Sequence, residues 1–209
     1  MDKHTLQLVK PIYYTYAKMY EELKVQGIKE KCIVCLDEFE ETDKNIVRLY
    51  KCSDHYFHDI CIAHCRQGQP HLKCPICGNI YGIQTGDMPS GTMKIRKING
   101  SLPGIKADYY YKISYIVESV VVNGDEFPGT HRDAFMPADK EGSEMLTLLI
   151  WGFQRGLTFR PAVSNTTGLR GSVWNIHHKS DITGTAFSYP DPTYLSRLKE
   201  ELYARGVSF

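Results

Sequence analysis

Cys32-Ile33-Val34-Cys35, Cys52-Ser53-Asp54-His55-Tyr56-Phe57-His58-Asp59-Ile60-Cys61 and Cys74-Pro75-Ile76-Cys77 are the stretches that decide how this sequence folds. Sixteen residues separate the first from the second, and twelve the second from the third. They hold eight Cys and His in four pairs, and two residues lie inside each pair. Zinc takes four nitrogen or sulfur ligands in a tetrahedron, and a Cys-x2-Cys turn aims two sulfurs at one ion. Four pairs therefore complete two sites with no open position, so both zincs are expected to be structural. The competing reading, unrelated buried Cys and surface His, would need chance to produce this regular spacing. His64, Cys65 and His71 fall outside it and are expected not to bind metal.

Outside those stretches the composition is ordinary. The chain has 209 residues, room for one or two compact domains. Its 42% hydrophobic and 23% charged residues are usual for globular protein, and a net charge of +1 points to neither nucleic acid nor a membrane surface. All seven Cys lie between Cys32 and Cys77, mixed with His, which reads as metal binding rather than disulfides. The strongly apolar stretch near 145–153 is too short to cross a bilayer. Met1-Asp2-Lys3-His4 opens no signal-peptide core. The expected location is a reducing compartment, the cytoplasm or the nucleus or both.

Three regions follow. Residues 1–30 are expected to be a helical segment, with a helix near 11–25 carrying Tyr13, Tyr14, Tyr16 and Tyr20; its plainest reading is a docking or oligomerising segment, and no function is assigned to it. Residues 31–82 are the zinc domain. Residues 83–209 are a second domain, joined through turn formers over 84–91 that read as a linker. Beyond Met93 there is no Cys, so an apolar core must hold this part together. Residues 109–122, rich in Tyr, Ile and Val, predict a strand, 143–153 a buried helix, and 157–163 another strand. Residues 193–205 predict a helix: Asp191 or Thr193 can cap it, Leu195, Leu198 and Leu202 share a face, and Gly206 ends it. The expected fold class is α+β, a small two-zinc domain followed by a mixed α+β domain.

The Cys and His pattern resembles the RING family, in the variety with His at the fourth and fifth ligand positions. That resemblance implies interleaved pairs, Cys32, Cys35, His58 and Cys61 on one zinc and Cys52, His55, Cys74 and Cys77 on the other. It also implies a ubiquitin-conjugating enzyme as partner, with Ile33 and Pro75 at the apolar contact positions. Exposed apolar side chains on the loops of a domain with little core suit a partner; local packing is the lesser, competing reading for Ile33. Gly78 stands where many RING domains carry a basic residue.

From Ile80 onward the chain resembles the Deltex C-terminal domain. The matching pieces keep their order: Ile80-Tyr81-Gly82-Ile83-Gln84-Thr85-Gly86, Gly91-Thr92-Met93, Leu102-Pro103-Gly104, Arg132-Asp133-Ala134-Phe135-Met136-Pro137, Ser164-Asn165-Thr166-Thr167-Gly168, Trp174-Asn175-Ile176-His177-His178-Lys179 and Tyr189-Pro190-Asp191-Pro192. The resemblance implies a pocket for ADP-ribose or NAD, lined by Ser164, Asn165, Thr166, Trp174, His177, Phe187 and Tyr189. It implies His177 and Glu201 as a catalytic pair that joins the carboxyl end of ubiquitin to a ribose hydroxyl. Phe187, where several relatives have His or Tyr, can stack on a ligand but cannot hydrogen-bond it.

The residues make chemical sense beside the family. A ribose hydroxyl is a weak nucleophile near neutral pH and needs a positioned base. On a helix wheel Glu201 borders the Leu195, Leu198, Leu202 face, whereas Glu200 lies opposite and is expected to be solvated. Two functions are therefore expected. One is a ubiquitin ligase that uses a charged conjugating enzyme to modify ADP-ribose, ADP-ribosylated proteins and lysines. The other is a RING ligase whose second domain only recruits ADP-ribosylated or peptide partners.

Overall fold

The computed structural model describes residues 11–14, 31–40, 42–43, 46–52, 54–66, 69, 71–185 and 187–209. It divides into two compact units, Met1–Gln84 and Thr85–Phe209. Among the described residues no helix is long and apolar enough to cross a membrane.

In the first unit, β1 (Pro11–Tyr14), β2 (Ile46–Leu49) and β3 (Tyr56–His58) form an antiparallel sheet with β2 in the centre. Helix α1 (Asp59–Cys65) starts directly after β3, and β4 (His71–Lys73) pairs with β5 (Ile80–Gly82). The helix expected from Pro11 is corrected at its first four residues. They are extended, with Pro11 opposite Leu49 and Tyr14 opposite Ile46, so 11–14 belongs to this unit's sheet. Ladder hydrogen bonds to a buried strand outweigh weak helical propensity in a Tyr-rich stretch. The remainder of that expectation, 15–25, lies outside the described residues. Phe39, Ile46, Val47, Leu49, Phe57, Ile62, Leu72 and Tyr81 are buried around Cys32, Cys52 and Cys74.

The second unit is built on a sheet of β6 (Gly91–Asn99), β7 (Tyr109–Val117) and β10 (Thr130–Pro137), ordered β10-β7-β6. The predicted strand over 109–122 is two elements, β7 and β8 (Val120–Val122). The latter pairs with β9 (Asp125–Phe127) across Asn123-Gly124, both at positive φ, the backbone that Asn-Gly hairpin turns require. Helix α2 (Lys140–Gln154) begins where the Asp139 carboxylate accepts the Gly142 N–H at 2.8 Å. Its buried face of Met145, Leu146, Leu148 and Leu149 joins Ile113, Tyr115 and Val117 of β7 in the core. The hairpin β11 (Phe159–Val163) and β12 (Arg170–Trp174) leads to the closing helix α3 (Tyr194–Tyr203), whose Leu198 and Leu202 are buried.

The linker expected over 84–91 is also corrected. Gly86 N–H donates to the Arg155 carbonyl and Met88 N–H to that of Gly156, and Gly91 already opens β6. A Cβ on Gly86 would lie 2.0 Å from the Gly156 oxygen, so glycine here permits close backbone approach rather than flexibility.

Candidate functional sites

The first unit gathers two sets of four donors, Cys32, Cys35, His58 and Cys61, and Cys52, His55, Cys74 and Cys77, with all ligand atoms of each set within 4.8 Å of one another. Zn–S near 2.3 Å and Zn–N near 2.05 Å require tetrahedral edges of about 3.8 Å between sulfurs and about 3.6 Å between sulfur and nitrogen. His58 Nδ1 lies 3.4 Å from Cys35 Sγ and 3.8 Å from Cys61 Sγ. In the other set, His55 Nδ1 is 3.5 Å from Cys74 Sγ, and Cys52 and Cys77 sulfurs are 3.6 Å apart. The two clusters thus fit two zinc ions. Each imidazole presents Nδ1 to its metal site while Nε2 faces a carboxylate, Asp43 at 3.3 Å for His58 and Asp54 at 3.5 Å for His55, partners that orient a ligating ring. The junction of β3 and α1 explains His58 and Cys61: a strand end and a first helical turn aim both at one point. His64, Cys65 and His71 belong to neither set.

The two Cys-x2-Cys turns repeat one backbone pattern. Leu36 N–H bonds the Cys32 carbonyl and Gly78 N–H the Cys74 carbonyl, while Cys32 N–H reaches Asp37 and Cys74 N–H reaches Asn79. Leu36 and Gly78 both sit at positive φ, 69° and 74°. Glycine after the last Cys therefore suits a left-handed position. The Lys73 Cε lies 3.4 Å from where a Cβ on Gly78 would stand, which brings a basic side chain beside it. Ile33 is 51% exposed, and Pro75 and Ile76 are exposed as well.

In the second unit, the segment after β12 and the helix α3 border a cavity of about 620 Å³, lined by His177, Lys179, Phe187, Asp191, Arg197 and Glu201 among others. His177 and Glu201 meet there, 24 residues apart in sequence. Glu201 Oε2 accepts the His177 backbone N–H at 3.0 Å and lies 3.2 Å from Nδ1. Its Oε1 pairs with Arg205 at 3.3 Å. A carboxylate only accepts, so Nδ1 carries a proton, and in the neutral ring the lone pair is then on Nε2. The His177 side chain is 91% exposed and that of Glu201 only 17%. Arg205 also donates to the Asn175 carbonyl, and Tyr194 Oη to that of His177, which fixes the 175–177 backbone against α3. Across the cavity Asp191 binds Lys179 and Arg197, each at 2.8 Å, and these two cations, Lys179 first, hold its carboxyl well below the usual carboxylate range. Glu200, expected to be merely solvated, is exposed and also borders the cavity.

The other residues expected at the pocket are not among those that border this cavity. Trp174 stacks on Phe159 at 4.3 Å and on His178 at 4.1 Å. Two near-parallel rings at those distances cannot share one face, so each face of the indole packs against a ring, while the side chain stays half-buried. Tyr189 is 1% exposed, with its hydroxyl on the Phe135 carbonyl. Ser164, Asn165 and Thr166 form the turn joining β11 to β12, where Ser164 Oγ accepts the N–H groups of Thr166 and Thr167. They do not line the cavity; His177 and Phe187 do. His178, buried, donates Nδ1–H to the Ile176 carbonyl and accepts the Tyr115 hydroxyl at Nε2; burial pushes its pKa down to about 4. Sequence reasoning missed Lys179, Arg197 and Arg205. Arg197 and Arg205 had a readable signal, each lying four residues from Glu201, and Lys179 had none.

Comparison with known proteins adds the family context. The model of the Deltex C-terminal domain matches residues 85–207. A human protein named probable E3 ubiquitin-protein ligase DTX3 is 38% identical over 189 residues, covering 85% of this chain and 52% of the relative. The mouse E3 ubiquitin-protein ligase DTX1 is 34% identical over 208 residues, 86% of this chain and 33% of the relative, and mouse DTX4 is 31% identical over 207. The chain thus spans about half of the first relative and a third of the others.

Proposed function

Because the chain belongs to the Deltex family, we propose that it is an E3 ubiquitin ligase whose zinc unit receives a ubiquitin-charged conjugating enzyme and whose second unit presents ADP-ribose, free or protein-linked, as an acceptor. Ile33 and Pro75, exposed on the two Cys-x2-Cys turns, are the apolar anchors for the conjugating enzyme, and Lys73 supplies the basic charge that Gly78 lacks. Zinc chemistry of this kind requires reduced thiols, so the cytoplasm or nucleus is the setting.

The observation that carries the acceptor half is the His177–Glu201 contact at the cavity rim. Glu201 is the orienting carboxylate, since its oxygens are already taken by His177 and Arg205. His177 Nε2 is then the base. It takes the proton of a ribose hydroxyl as that oxygen bonds to the thioester carbonyl of ubiquitin; the C–S bond breaks and the proton passes to the departing thiolate. The product is an ester. Lysine amines are better nucleophiles and do not need this base.

Discharge assays with ADP-ribose and with lysine test the reading. Glu201→Ala is expected to lower the hydroxylamine-sensitive ADP-ribose product about a hundredfold and to spare lysine products. Glu126→Ala, at the exposed middle position of β9, is the control. Equal loss with both acceptors, or none, would overturn it. A second reading is favoured by Phe187, whose exposed ring can stack on a ligand but cannot orient a hydroxyl: the second unit would only recruit ADP-ribosylated or peptide partners. In that case ADP-ribose binds but no ester forms.

A further inference from the structure

The strand β6 has the sequence Gly91-Thr92-Met93-Lys94-Ile95-Arg96-Lys97-Ile98-Asn99, three cations and no acid in a chain whose net charge is only +1. It is the last strand of its sheet, and nine residues is long for an edge. Two hydrogen bonds fix which of its backbone groups are free. The register pairs Gly91 with Val117 and Asn99 with Tyr109. Just beyond those ends, Glu118 N–H donates to Ser90 and Gly100 N–H to Asp108, both at 2.8 Å. Hydrogen-bonded pairs alternate in an antiparallel ladder, so the even positions bond β7 and the odd ones turn outward. The N–H and C=O groups of Met93, Ile95 and Lys97 therefore form an open ladder, and no hydrogen bond among the described residues uses it.

The side chains divide the same way. Ile95 lies opposite the buried Ile113 and Met93 opposite the buried Tyr115, so odd residues share the core face. Ile95 is nevertheless exposed there, at the sheet's rim. Lys94 and Arg96 stand on the other face, exposed, and no acid pairs with them among the described residues. Lys112, opposite Arg96, already has Asp133 at 2.8 Å. Lys97 rests over the Tyr109 ring.

We propose that β6 is a docking edge for an extended acidic segment of a partner protein, which adds to the sheet as an antiparallel fourth strand. Main-chain bonds to Met93, Ile95 and Lys97 would supply the pairing, as in strand addition generally. Lys94 and Arg96 would then occupy the non-hydrogen-bonded positions, where cross-strand side chains come closest and opposite charges count most. From N to C, the segment reads acid, acid, apolar, acid, opposite Lys97, Arg96, Ile95 and Lys94. A second copy of this chain is a poor occupant. Pairing β6 with itself around Ile95 sets Lys94 against Arg96, the like-charge contact by which edges resist self-association.

The test uses the full chain and a fluorescent synthetic peptide carrying acid-acid-apolar-acid within a strand-forming sequence. Its fluorescence anisotropy is expected to saturate and to weaken with salt. In hydrogen exchange, the peptide should protect the amides of Met93, Ile95 and Lys97 and leave Lys94 and Arg96 unchanged. Lys94→Glu with Arg96→Glu should weaken binding about tenfold or more. Ile95→Pro removes an outward donor, tolerated in edge strands, and should abolish the peptide's binding. Absence of saturation, equal binding of a proline-interrupted peptide of the same charge, or protection without the alternating pattern would each overturn the proposal.

Discussion

The two units place their sites differently with respect to their cores. In the first, Cys32, Cys52 and Cys74 are metal-site residues and also belong to the buried cluster with Phe57 and Leu49. In the second, the buried cluster of Tyr115, Leu148, Phe159 and Leu202 lies beneath the site, while His177 stands in solvent above it. Where site and core are the same atoms, a ligand cannot be changed without losing the fold. Where they are separate, the site can vary over a constant core, and an aromatic expected to grip a ligand, such as Trp174, can turn out to be packing.

The largest effect should come from removing zinc. Structural zinc supplies on the order of 10 kcal/mol of folding free energy, so a chelator is expected to unfold the first unit and leave a cooperative melting transition for the second. Cys74→Ser should act like the chelator. Cys65→Ser should keep two zincs by metal analysis and shift stability by less than about 1 kcal/mol. A single shared transition lost on chelation would break the comparison.

Trp174→Ala should come next. It empties the space between Phe159 and His178 and is expected to cost about 3–5 kcal/mol in the second transition, with zinc content unchanged. A loss confined to ligand affinity, with normal melting, would return Trp174 to the pocket.

A smaller effect separates the units by pH. The pKa of His178 is about 4 when folded, against an ordinary 6.5. Between these values the unfolded chain holds the extra proton, so stability is full above about pH 6.5 and falls as pH drops toward 4. The loss is about 3 kcal/mol. His178→Gln should flatten that slope in melts of the second transition. The first unit also weakens in acid, by protonation of its ligands, but excess zinc should restore it and not the second.

The zinc donors were legible in the sequence because each Cys-x2-Cys turn is local and its spacing carries the geometry. Their interleaving, by contrast, came from resemblance and needed β3, α1 and the two turns to appear in space. The helices over 140–154 and 194–203 were legible, the first because 143–153 is apolar on most faces and the second from the apolar periodicity of 193–205, whereas β6 and β10 were not, since each depends on pairing with β7. Pro11–Tyr14 was misread for the same reason, its partner β2 lying 32 residues further on at Tyr14–Ile46 and 38 at Pro11–Leu49.

What the sequence determined by itself is the set of eight zinc donors, readable from residue type and local spacing; resemblance added the family, the pairing of those donors and the two candidate residues His177 and Glu201. Only the tertiary structure decided that Glu201 is held by Arg205 with its oxygens occupied, that Trp174 and Tyr189 are turned inward, and that the outward ladder of β6 is open. Each of these is a matter of direction. An aromatic or a carboxylate reads alike in a sequence whichever way it points, and it is the packing of residues distant along the chain that turns it toward solvent or core.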